Sequence, residues 1–520
     1  MLVGDIAKNN ARRYPDKRAI VDGDRVHTWR QVSDRARRLG NHLRSQGLVK
    51  GDRVLVIARN CIEWPEITFG LAMAGLVVVP VNIRLAADEL AHVRDDSGAK
   101  AAIVHTDQCQ RFAAELTGLT ELIEIGSATV GRDYEEVIAT ASDGDPTPAD
   151  LEPDNVLFIL YTSGTTGRAK GVVNTHRGLL YQAADTNLVT EGDRSDVFLA
   201  TTPFFTAGGM VRTVSWTYLG QSMILHQRFD PQSVIDEIER SGVTFTTFIP
   251  TMLQRTLRIL EEGPDRDMSS LRRISYGSAP VPPGLARKAM DLLGCDLQQR
   301  YGLTECGGQA TILTPQDHRD MVAGRTSIAT SCGQETPMCS IRIVDADGEE
   351  LPNGEIGEIV IVSNANAIGY WNRPEATAQT FRDTGLWSGD LGYLDDERYL
   401  HITGRKTDMI ISGGFNVYPA EIERVIGQHG GVDLVAVVGV PDAEWGETPV
   451  AVVIPKDGVD ARTLEPQLVA LCRDELAGYK QPRRFEFRTE FPLGPAGKIL
   501  KRVIADSLIA TDSPAVAVPS

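Results

Sequence analysis

The chain has 520 residues, of which 42% are hydrophobic and 24% are charged, and its formal net charge is −17. This length exceeds the size at which a single core keeps growing, so the sequence predicts a globular protein with at least two domains. The acidic balance excludes a broad nucleic-acid-binding face, which needs an excess of Lys and Arg. A polyanionic substrate therefore has to be attracted by a local cluster of positive groups and backbone amides.

The N-terminal twenty residues lack the apolar core of a signal peptide, and the longest uncharged run, FGLAMAGLVVVPVN, is too short to span a bilayer. The seven cysteines are scattered without a C-x-x-C pair, which is typical of reduced structural thiols. The nine histidines show no metal-ligand spacing. We therefore expect a cytoplasmic protein without stable membrane insertion and without a structural metal.

From about residue 52 the chain alternates short apolar runs with helical patterns, and the alternation resumes around residues 196, 243 and 272. Such alternation predicts βαβ units that form parallel sheets with helices on both faces. Between about 322 and 363, D-G and N-G turns join strand-like runs, which predicts a β-rich subdomain. The fold class predicted here is α/β, with doubly wound mixed and parallel sheets in a large N-terminal domain.

After residue 404 the sequence predicts helices and strands typical of a compact α+β domain of about a hundred residues, which is a normal domain size. The predicted organisation is an N-terminal domain over 1–404, a hinge at 405–406, a small mobile α+β domain over 407–510 and a disordered tail over 511–520.

The stretch YTSGTTGRAK, residues 161 to 170, follows a strand-like run and combines glycines with hydrogen-bond donors. Gly164 and Gly167 allow backbone amides to face one side, which makes an anion-binding nest. Further donors are the side chains of Thr162, Ser163, Thr165, Thr166 and Lys170. The pattern favours a polyphosphate ligand, although a lone loop of this kind is more often a flexible surface turn. The G-x-x-G-x-x-K spacing excludes a Walker P-loop.

Five further motifs follow in order: YGSAP (276–280), YGLTE (301–305), WSGD (387–390), GRKTDMIISGGFNVYP (404–419) and PLGPAGKIL (492–500). Together with YTSGTTGRAKG they resemble the adenylate-forming superfamily of acyl-CoA synthetases, nonribosomal-peptide adenylation domains and luciferases. The resemblance extends from about residue 5 to 505. It implies that a carboxylate attacks the α-phosphate of ATP, forms an acyl-adenylate and releases pyrophosphate.

The resemblance also implies roles for individual residues. It assigns the β and γ phosphates to the loop from Thr162 to Lys170, Mg²⁺ to Glu305 and the α-phosphate to Thr304. Lys498 bridges the acyl carboxylate and the α-phosphate. The remaining nucleotide and CoA contacts implied by the family are Gly277, Ser278, Ala279, Pro280, Tyr301 and Gly302 near the base, Asp390 and Arg405 at the ribose, and Gly413 and Gly414 along the pantetheine.

Each of these residues also has a plain structural explanation. Lys498 could be a solvated lysine beside a turn, Asp390 a turn cap and Glu305 a solvated loop carboxylate. The order of the motifs favours the functional interpretation in each case. His176 is expected at the start of a helix and outside the chemistry.

The acyl pocket is predicted around PFFTAGG, residues 203 to 209, with Thr206 where many acyl-CoA and aryl-CoA ligases have a histidine. The stretch has no aspartate to pair with an α-ammonium group, so an α-amino acid is not expected. The small residues predict room for a bulky, mostly apolar acyl or aryl group. The candidate pocket residues are Phe204, Phe205, Thr206, Gly208, Phe248 and Gly307, although the phenylalanines are nearly as well explained as core.

The resemblance therefore predicts a ligase that uses ATP, Mg²⁺ and coenzyme A to convert a small carboxylic acid into an acyl-CoA, with Lys406 in the hinge. Thr206 keeps open the alternative that the acyl group passes to an amine. A catalytically silent binding protein is the minor alternative, since Lys498, Glu305 and Asp390 are all present. The acid and the oligomeric state stay open, and a homodimer is compatible with the resemblance.

Overall fold

The computed structural model describes residues 1–162, 168–277, 279–442, 444–492 and 499–512. The helices are α1 (Gly4–Arg13), α2 (Trp29–Ser45), α3 (Glu63–Ala74), α4 (Ala87–Ser97), α5 (Thr106–Arg111), α6 (Tyr134–Thr140), α7 (His176–Val189), α8 (Ala207–Ser215), α9 (Pro231–Ser241), α10 (Pro250–Glu262), α11 (Pro283–Leu293), α12 (Pro315–Ala323), α13 (Pro374–Thr380), α14 (Pro419–Gly427), α15 (Ala461–Glu475) and α16 (Lys501–Asp512).

The strands are β1 (Arg18–Asp22), β2 (Arg25–Thr28), β3 (Arg53–Ile57), β4 (Val77–Pro80), β5 (Ala101–His105), β6 (Glu121–Ile125), β7 (Arg132–Asp133), β8 (Val156–Thr162), β9 (Lys170–Thr175), β10 (Val197–Ala200), β11 (Ser222–Leu225), β12 (Phe245–Phe248), β13 (Arg273–Gly277), β14 (Asp296–Tyr301), β15 (Thr311–Leu313), β16 (Gln334–Glu335), β17 (Ser340–Val344), β18 (Gly357–Val362), β19 (Gly369–Tyr370), β20 (Phe381–Arg382), β21 (Gly385–Leu394), β22 (Leu400–Arg405), β23 (Ile410–Ser412), β24 (Phe415–Val417), β25 (Val432–Asp442), β26 (Gly446–Pro455) and β27 (Arg484–Phe487).

The chain divides into two compact units. Unit 1 comprises Met1–Arg342, Val360–Trp387 and Arg398–Leu400, and unit 2 comprises Ile343–Ile359, Ser388–Glu397 and the described residues from His401 onward. Unit 2 thus includes two segments that lie before the predicted boundary at residue 404. The physical reason is local, because Lys406 donates its N–H to the carbonyl of Gly389 and its Nζ to Glu358, which draws both segments to it. The hinge at 405–406 stays a prediction.

Unit 1 contains two large mixed sheets. The nine-stranded sheet has the order β16-β15-β14-β13-β12-β10-β11-β1-β2, and the eight-stranded sheet has the order β19-β9-β8-β4-β3-β5-β6-β7. The central pairs, such as β13 with β14 and β3 with β5, are parallel, whereas β8 with β9 and β14 with β15 are antiparallel. This confirms the predicted α/β class with mixed and parallel sheets.

Three hydrophobic layers hold these sheets in place. One core lies between the sheets and joins α1, α2, α3, α7 and α8 to the facing sides of β3, β4, β8, β10 and β11. A second core packs α9, α10 and α11 on the other face of the nine-stranded sheet, and a third packs α4 and α5 on the other face of the eight-stranded sheet. Strands that are covered on both faces read as continuous apolar runs, which explains why the sequence shows them clearly.

Helix α2 illustrates how the sequence sets a local element. Thr28 and Gln31 form a capping box, in which the Thr28 hydroxyl accepts from the Gln31 N–H and the Gln31 side chain accepts from the Thr28 N–H. The buried face of α2 packs on α3 at Gly70, where a Cβ would lie 2.7 Å from the carbonyl oxygen of Ala36. Only glycine therefore permits this helix spacing.

Unit 2 has its own sheet, with the order β24-β23-β26-β25 and β27 beside β26. Alternate residues of β25 and β26 face opposite sides, so that Val437 and Val453 pack with α14 and α15, whereas Val438 and Val452 pack with α16. This is the smaller α+β domain that the sequence predicts. A separate five-stranded sheet has the order β17-β18-β21-β20, with β22 beside β21.

Helix α16 extends to Asp512, two residues into the predicted disordered tail of 511–520. The reason is that the chain has no glycine or proline between Lys501 and Asp512 to end the helix, and Ile504 and Leu508 are buried. The tail beyond 512 lies outside the described residues.

Among the residues that are described, no helix is long and apolar enough to cross a membrane. All seven cysteines are free.

Candidate active site

The predicted phosphate loop connects two strands of unit 1. β8 and β9 pair antiparallel, and the register places Thr162 opposite Lys170. Five of the predicted phosphate-binding residues, Ser163 to Gly167, lie outside the described residues, so the structure reports the ends of the loop alone. The extended conformation after Lys170 agrees with the exclusion of a Walker P-loop, whose lysine opens a helix.

Tyr370 brings two of the predicted site residues together. Its ring lies 5.3 Å from Nζ of Lys170, within cation–π range, and its hydroxyl donates to Oε1 of Glu305 at 2.9 Å. Strand β19 positions the ring by pairing with β9, and the carbonyl of Glu305 accepts from the N–H of Ala367 at 2.8 Å. Lys170, Glu305 and Tyr370 therefore form one polar cluster.

Tyr370 belongs to none of the sequence motifs that predict the site. A tyrosine on a strand of only two residues produces neither a periodic pattern nor a recognisable turn, so no local signal marks it. The antiparallel pairing of β19 with β9 across nearly two hundred residues creates the contact.

We expect Tyr370→Phe to raise the Mg²⁺ concentration needed for half-maximal pyrophosphate release by roughly tenfold. The ring over Lys170 stays, but Glu305 loses a hydrogen bond to a charged acceptor, which contributes about 1.5 to 3 kcal/mol. The measurement is a Mg²⁺ titration of acid-dependent pyrophosphate release.

Tyr399→Phe is the matched control for this change. It removes a similar bond in unit 1, from the Tyr399 hydroxyl to Asp317 at 2.6 Å, away from the cluster. A shift of the Mg²⁺ dependence in both variants would mean that the effect is general destabilisation.

The residues predicted to bind the base lie where neighbouring strands end. β13 ends at Gly277 and β14 ends one residue after its register partner Arg300, so the carboxyl ends of both strands share one edge of the sheet. Ligands of open α/β sheets bind at such edges. Gly302 is required there, because a Cβ would lie 2.5 Å from the backbone nitrogen of Gln309. Ala279 and Pro280 are exposed, and Ser278 lies outside the described residues.

Thr304 and Glu305 lie in a short 3₁₀ turn, Thr304–Cys306, just beyond the end of β14. The turn closes through Gly307, which has a φ of 75° and donates its N–H to the carbonyl of Thr304. The left-handed conformation at Gly307 favours glycine and gives the turn its direction. Tyr301, Thr304 and Glu305 are therefore presented together at the strand edge.

In unit 2, Asp390 and Arg405 form an ion pair, with 3.0 Å between Oδ1 of Asp390 and Nε of Arg405. Asp390 lies on β21 and only 5% of it is exposed, whereas the Arg405 side chain at the end of β22 is 42% exposed. The two residues that the sequence assigns to the ribose are thus adjacent. A carboxylate can accept several hydrogen bonds, which is the property that ribose binding requires.

Gly413 and Gly414 form the turn between β23 and β24, with φ values of 58° and 83°. A Cβ on Gly413 would lie 2.6 Å from the ring of Trp445, whereas a Cβ on Gly414 would meet no atom within 4 Å. Gly413 is therefore needed for packing and Gly414 for the turn, and the space above Gly414 fits the approach of a linear ligand.

Thr206 has a clear structural role in place of the usual histidine. Its hydroxyl caps α8 by accepting from the N–H of Gly209 at 3.2 Å and donates to the carbonyl of Pro203 at 2.7 Å. Gly209 tolerates no side chain, since a Cβ would lie 2.1 Å from the carbonyl oxygen of Pro203. The PFFTAGG stretch is therefore the start of a helix, tightly folded on itself.

The predicted pocket residues separate into two groups. Phe204 and Phe248 are almost fully buried in different hydrophobic cores, where they pack on Trp64 and Phe229 respectively. Phe205 is also buried. Gly208 and Gly307, in contrast, line a cavity of about 20 Å³ in unit 1, together with Arg212, Arg300, Gln182 and Gln309. Ala207 and Val211 line the same cavity, so its walls combine apolar groups with the two arginines, and the apolar acyl pocket stays a prediction.

His176 begins α7, as the sequence predicts, and is fully buried. Its Nδ1 accepts from the N–H of Val3 at 3.2 Å. Burial lowers the pKa of His176 to about 4, so the side chain is neutral at physiological pH. It supports the packing of the N-terminus.

Lys498, the predicted catalytic lysine, lies outside the described residues.

Comparisons with known proteins extend over nearly the whole chain. The sequence model described as "AMP-binding enzyme" matches residues 7–371, and that described as "AMP-binding enzyme C-terminal domain" matches residues 421–498. Among curated proteins, the feruloyl-CoA synthase of an Amycolatopsis species is 37% identical over 501 residues, which are 96% of this chain and 97% of that protein.

Two solved structures show the breadth of the similarity. The fatty acyl CoA synthetase of Mycobacterium tuberculosis has a TM-score of 0.79 at 33% identity and covers 98% of this chain and 99% of its own. The amide bond synthetase of Marinactinospora thermotolerans has a TM-score of 0.86 at 28% identity and covers 97% and 99%. Backbone similarity by itself does not separate these two chemistries.

Proposed function

Because the chain belongs to the AMP-binding enzyme family, we propose that it activates a carboxylic acid with ATP, forms an acyl-adenylate with release of pyrophosphate, and transfers the acyl group to coenzyme A. The observation that carries the proposal is the cluster of Lys170, Tyr370 and Glu305 at the end of the predicted phosphate loop. The cluster brings a positive charge and a carboxylate close together, which supports the binding of a polyphosphate and its cation.

The residues present fit the Mg²⁺ that this family implies. Oε1 of Glu305 accepts one bond from Tyr370, and an ionised carboxylate has further lone pairs for a hard cation. Mg²⁺ neutralises phosphate charge when it is bound. Lys170 adds a second positive charge at the same place, and Thr304 adds a hydroxyl donor on the same turn as Glu305.

Each part of the chain then has a defined task. Asp390 accepts the ribose hydroxyls while Arg405 holds its carboxylate in place. Tyr301 and the residues at the end of β13 bind the base. Lys498 donates to the acyl carboxylate and the α-phosphate oxygens as the new bond forms, because both reactants are negative.

The proposed acceptor is coenzyme A. The curated feruloyl-CoA synthase and the mycobacterial fatty acyl CoA synthetase are more similar in sequence to this chain than the amide bond synthetase is. The turn at Gly413 and Gly414 fits the passage of a pantetheine arm. The amide-forming alternative is not favoured by these relatives. The free state of all seven cysteines supports a reducing, cytoplasmic location.

The direct test is acid-dependent pyrophosphate release from ATP and Mg²⁺ across aliphatic and aryl acids, with and without CoA. We expect multiple turnovers only when CoA is present, and an acyl-CoA product by mass spectrometry. Turnover with an amine in place of CoA would support amide formation. No release with any acid would contradict the proposal and favour a silent binding protein.

A further prediction concerns the hinge. Because Lys498 and the glycine pair lie in the same C-terminal domain and serve different steps, we propose that the domain rotates about 405–406 between the half reactions. We expect Lys406→Pro to reduce the rate of thioester formation at least tenfold more than the rate of adenylation. Proline fixes φ at this position and removes the N–H that donates to the carbonyl of Gly389. Separate assays of the two half reactions measure this.

Lys406→Ala is the control for the hinge. It removes the ion pair with Glu358, which is 2.8 Å long, and leaves the backbone N–H in place. If Lys406→Pro lowers both half reactions equally, or if Lys406→Ala reproduces its effect, rotation about this residue is not required.

A further inference from the structure

Two arginines face the small cavity beside Gly208 and Gly307 and have unused donors. Nε and Nη1 of Arg212, and Nε and Nη2 of Arg300, are buried and have no hydrogen-bond partner among the residues that the structure describes. Arg300 is only 6% exposed. Buried guanidinium groups are almost always paired, because an unsatisfied buried charge is costly. The arrangement points to a missing anionic partner.

The protein supplies little negative charge to this cavity. Asp185 is the acidic side chain whose charge favours the protonated form of Arg300, but its two oxygens accept from Gln309 and from the N–H of Met338. Neither arginine forms an ion pair with Asp or Glu within the described part of the chain. The carboxylate near Arg300 is therefore already engaged by other donors, and the guanidinium group of Arg212 adds a second positive charge.

The two arginines are strongly desolvated. Burial lowers the pKa of Arg212 to about 10, and burial together with the charge of Arg212 lowers the pKa of Arg300 below its usual range. Holding these two positive charges close together in a buried cavity costs electrostatic free energy. An anion between them removes that cost and satisfies the free donors.

The position of the cavity relates it to the reacting acid. Cys306 separates Gly307 from Glu305, and two consecutive Cα steps of about 3.8 Å place Gly307 within roughly 8 Å of Glu305. Arg212 lies on α8, which begins immediately after the cap Thr206, and Arg300 directly precedes Tyr301. A volume of about 20 Å³ accommodates a small group such as a water or part of a carboxylate, and excludes an aromatic ring.

We propose that Arg212 and Arg300 bind a second carboxylate of the substrate, so that the preferred acid is a compact dicarboxylic acid activated at one end. This inference rests on the proposed function and names its substrate class. One carboxylate is adenylated near Thr304 and Glu305, and the other remains ionised between the guanidinium groups, which bind carboxylates through paired N–H donors. The product is then the monothioester of a dicarboxylic acid.

The test compares acids in matched pairs that differ by one carboxylate: succinate with butyrate, glutarate with pentanoate, and terephthalate with 4-methylbenzoate. We expect kcat/KM for pyrophosphate release to be at least tenfold higher for the dicarboxylic acid in one or more pairs. Equal or higher values for the monocarboxylic acid in every pair would overturn the inference and leave the proposed function intact. No release with any acid would contradict both.

Variants assign the preference to the arginines. We expect Arg212→Met to lower the ratio of dicarboxylic to monocarboxylic kcat/KM by roughly 10- to 100-fold. Arg212→Lys is expected to have an intermediate effect, because lysine keeps the positive charge but lacks the paired N–H donors of the planar guanidinium group. Arg272→Met, which removes an arginine paired with Asp196 outside the cavity, is expected to keep the ratio. An unchanged ratio in Arg212→Met would show that the cavity holds water only and overturn the inference.

A second variant covers the case in which Arg212→Met does not fold, as judged by its thermal midpoint. Arg300→Met is then measured for the same ratio, and a fall of similar size supports the inference. A ratio unaffected by Arg300→Met overturns it.

Discussion

Replacing Lys498 by methionine is expected to slow acyl-adenylate formation by about 100- to 1,000-fold. The acyl carboxylate and the α-phosphate are both negative, and a positioned cation stabilises the charge that builds up between them, an effect of roughly 3 to 4 kcal/mol. The measurement is the single-turnover rate of pyrophosphate release, compared with thioester formation from acyl-adenylate supplied directly.

Lys501→Met is the matched control, because Lys501 lies three residues away and pairs with Glu423 at 2.7 Å. We expect this variant to retain adenylation. If Lys498→Met slows both half reactions to the same extent, or neither, the assignment of Lys498 to the adenylation step is wrong.

Asp390→Asn is expected to lower kcat/KM for ATP by roughly 100-fold. The side chain keeps its size, but the charged acceptor of the ribose hydroxyls is lost, and each bond to a charged group contributes about 1.5 to 3 kcal/mol. The decisive measurement is a thermodynamic cycle, in which kcat/KM of the wild type and of Asp390→Asn is compared for ATP and for 2′,3′-dideoxy-ATP, which lacks both ribose hydroxyls.

If Asp390 binds the ribose, Asp390→Asn causes little further loss with the dideoxy nucleotide. If the carboxylate only anchors Arg405, the variant lowers activity with both nucleotides by the same factor. Arg405→Met distinguishes these cases further, since it removes the 3.0 Å ion pair and leaves the carboxylate in place.

The strands and helices that position the site were largely predictable. The runs that became β3, β4, β5 and β8 are buried on both faces and read as largely continuous apolar segments. His176 was predicted at a helix start, and α7 begins there, with the hydroxyl of Thr175 accepting from the N–H of Gly178. These signals are local, so a sequence carries them without an alignment.

The composition of the small cavity beside Gly208 and Gly307 was not predictable in the same way. Small residues at 207–209 and 307–308 suggested an apolar space, and four of them, Ala207, Gly208, Gly307 and Gly308, line the cavity together with two arginines. Arg212 and Arg300 belong to a helix and a strand that are almost ninety residues apart in the chain. The sequence on either side of each arginine does not indicate that both side chains are buried at the same cavity. Burial of a charge is a property of the packed structure, not of a segment.

The sequence by itself determined the family, the order of its motifs and the mixed α/β class, because each depends on residue types within short stretches. The tertiary structure decided which side chains meet: Tyr370 with Lys170 and Glu305, Asp390 with Arg405, and two arginines at one cavity. The physical reason is that distances and desolvation arise only when sheets pair and cores close over residues that are far apart in the chain.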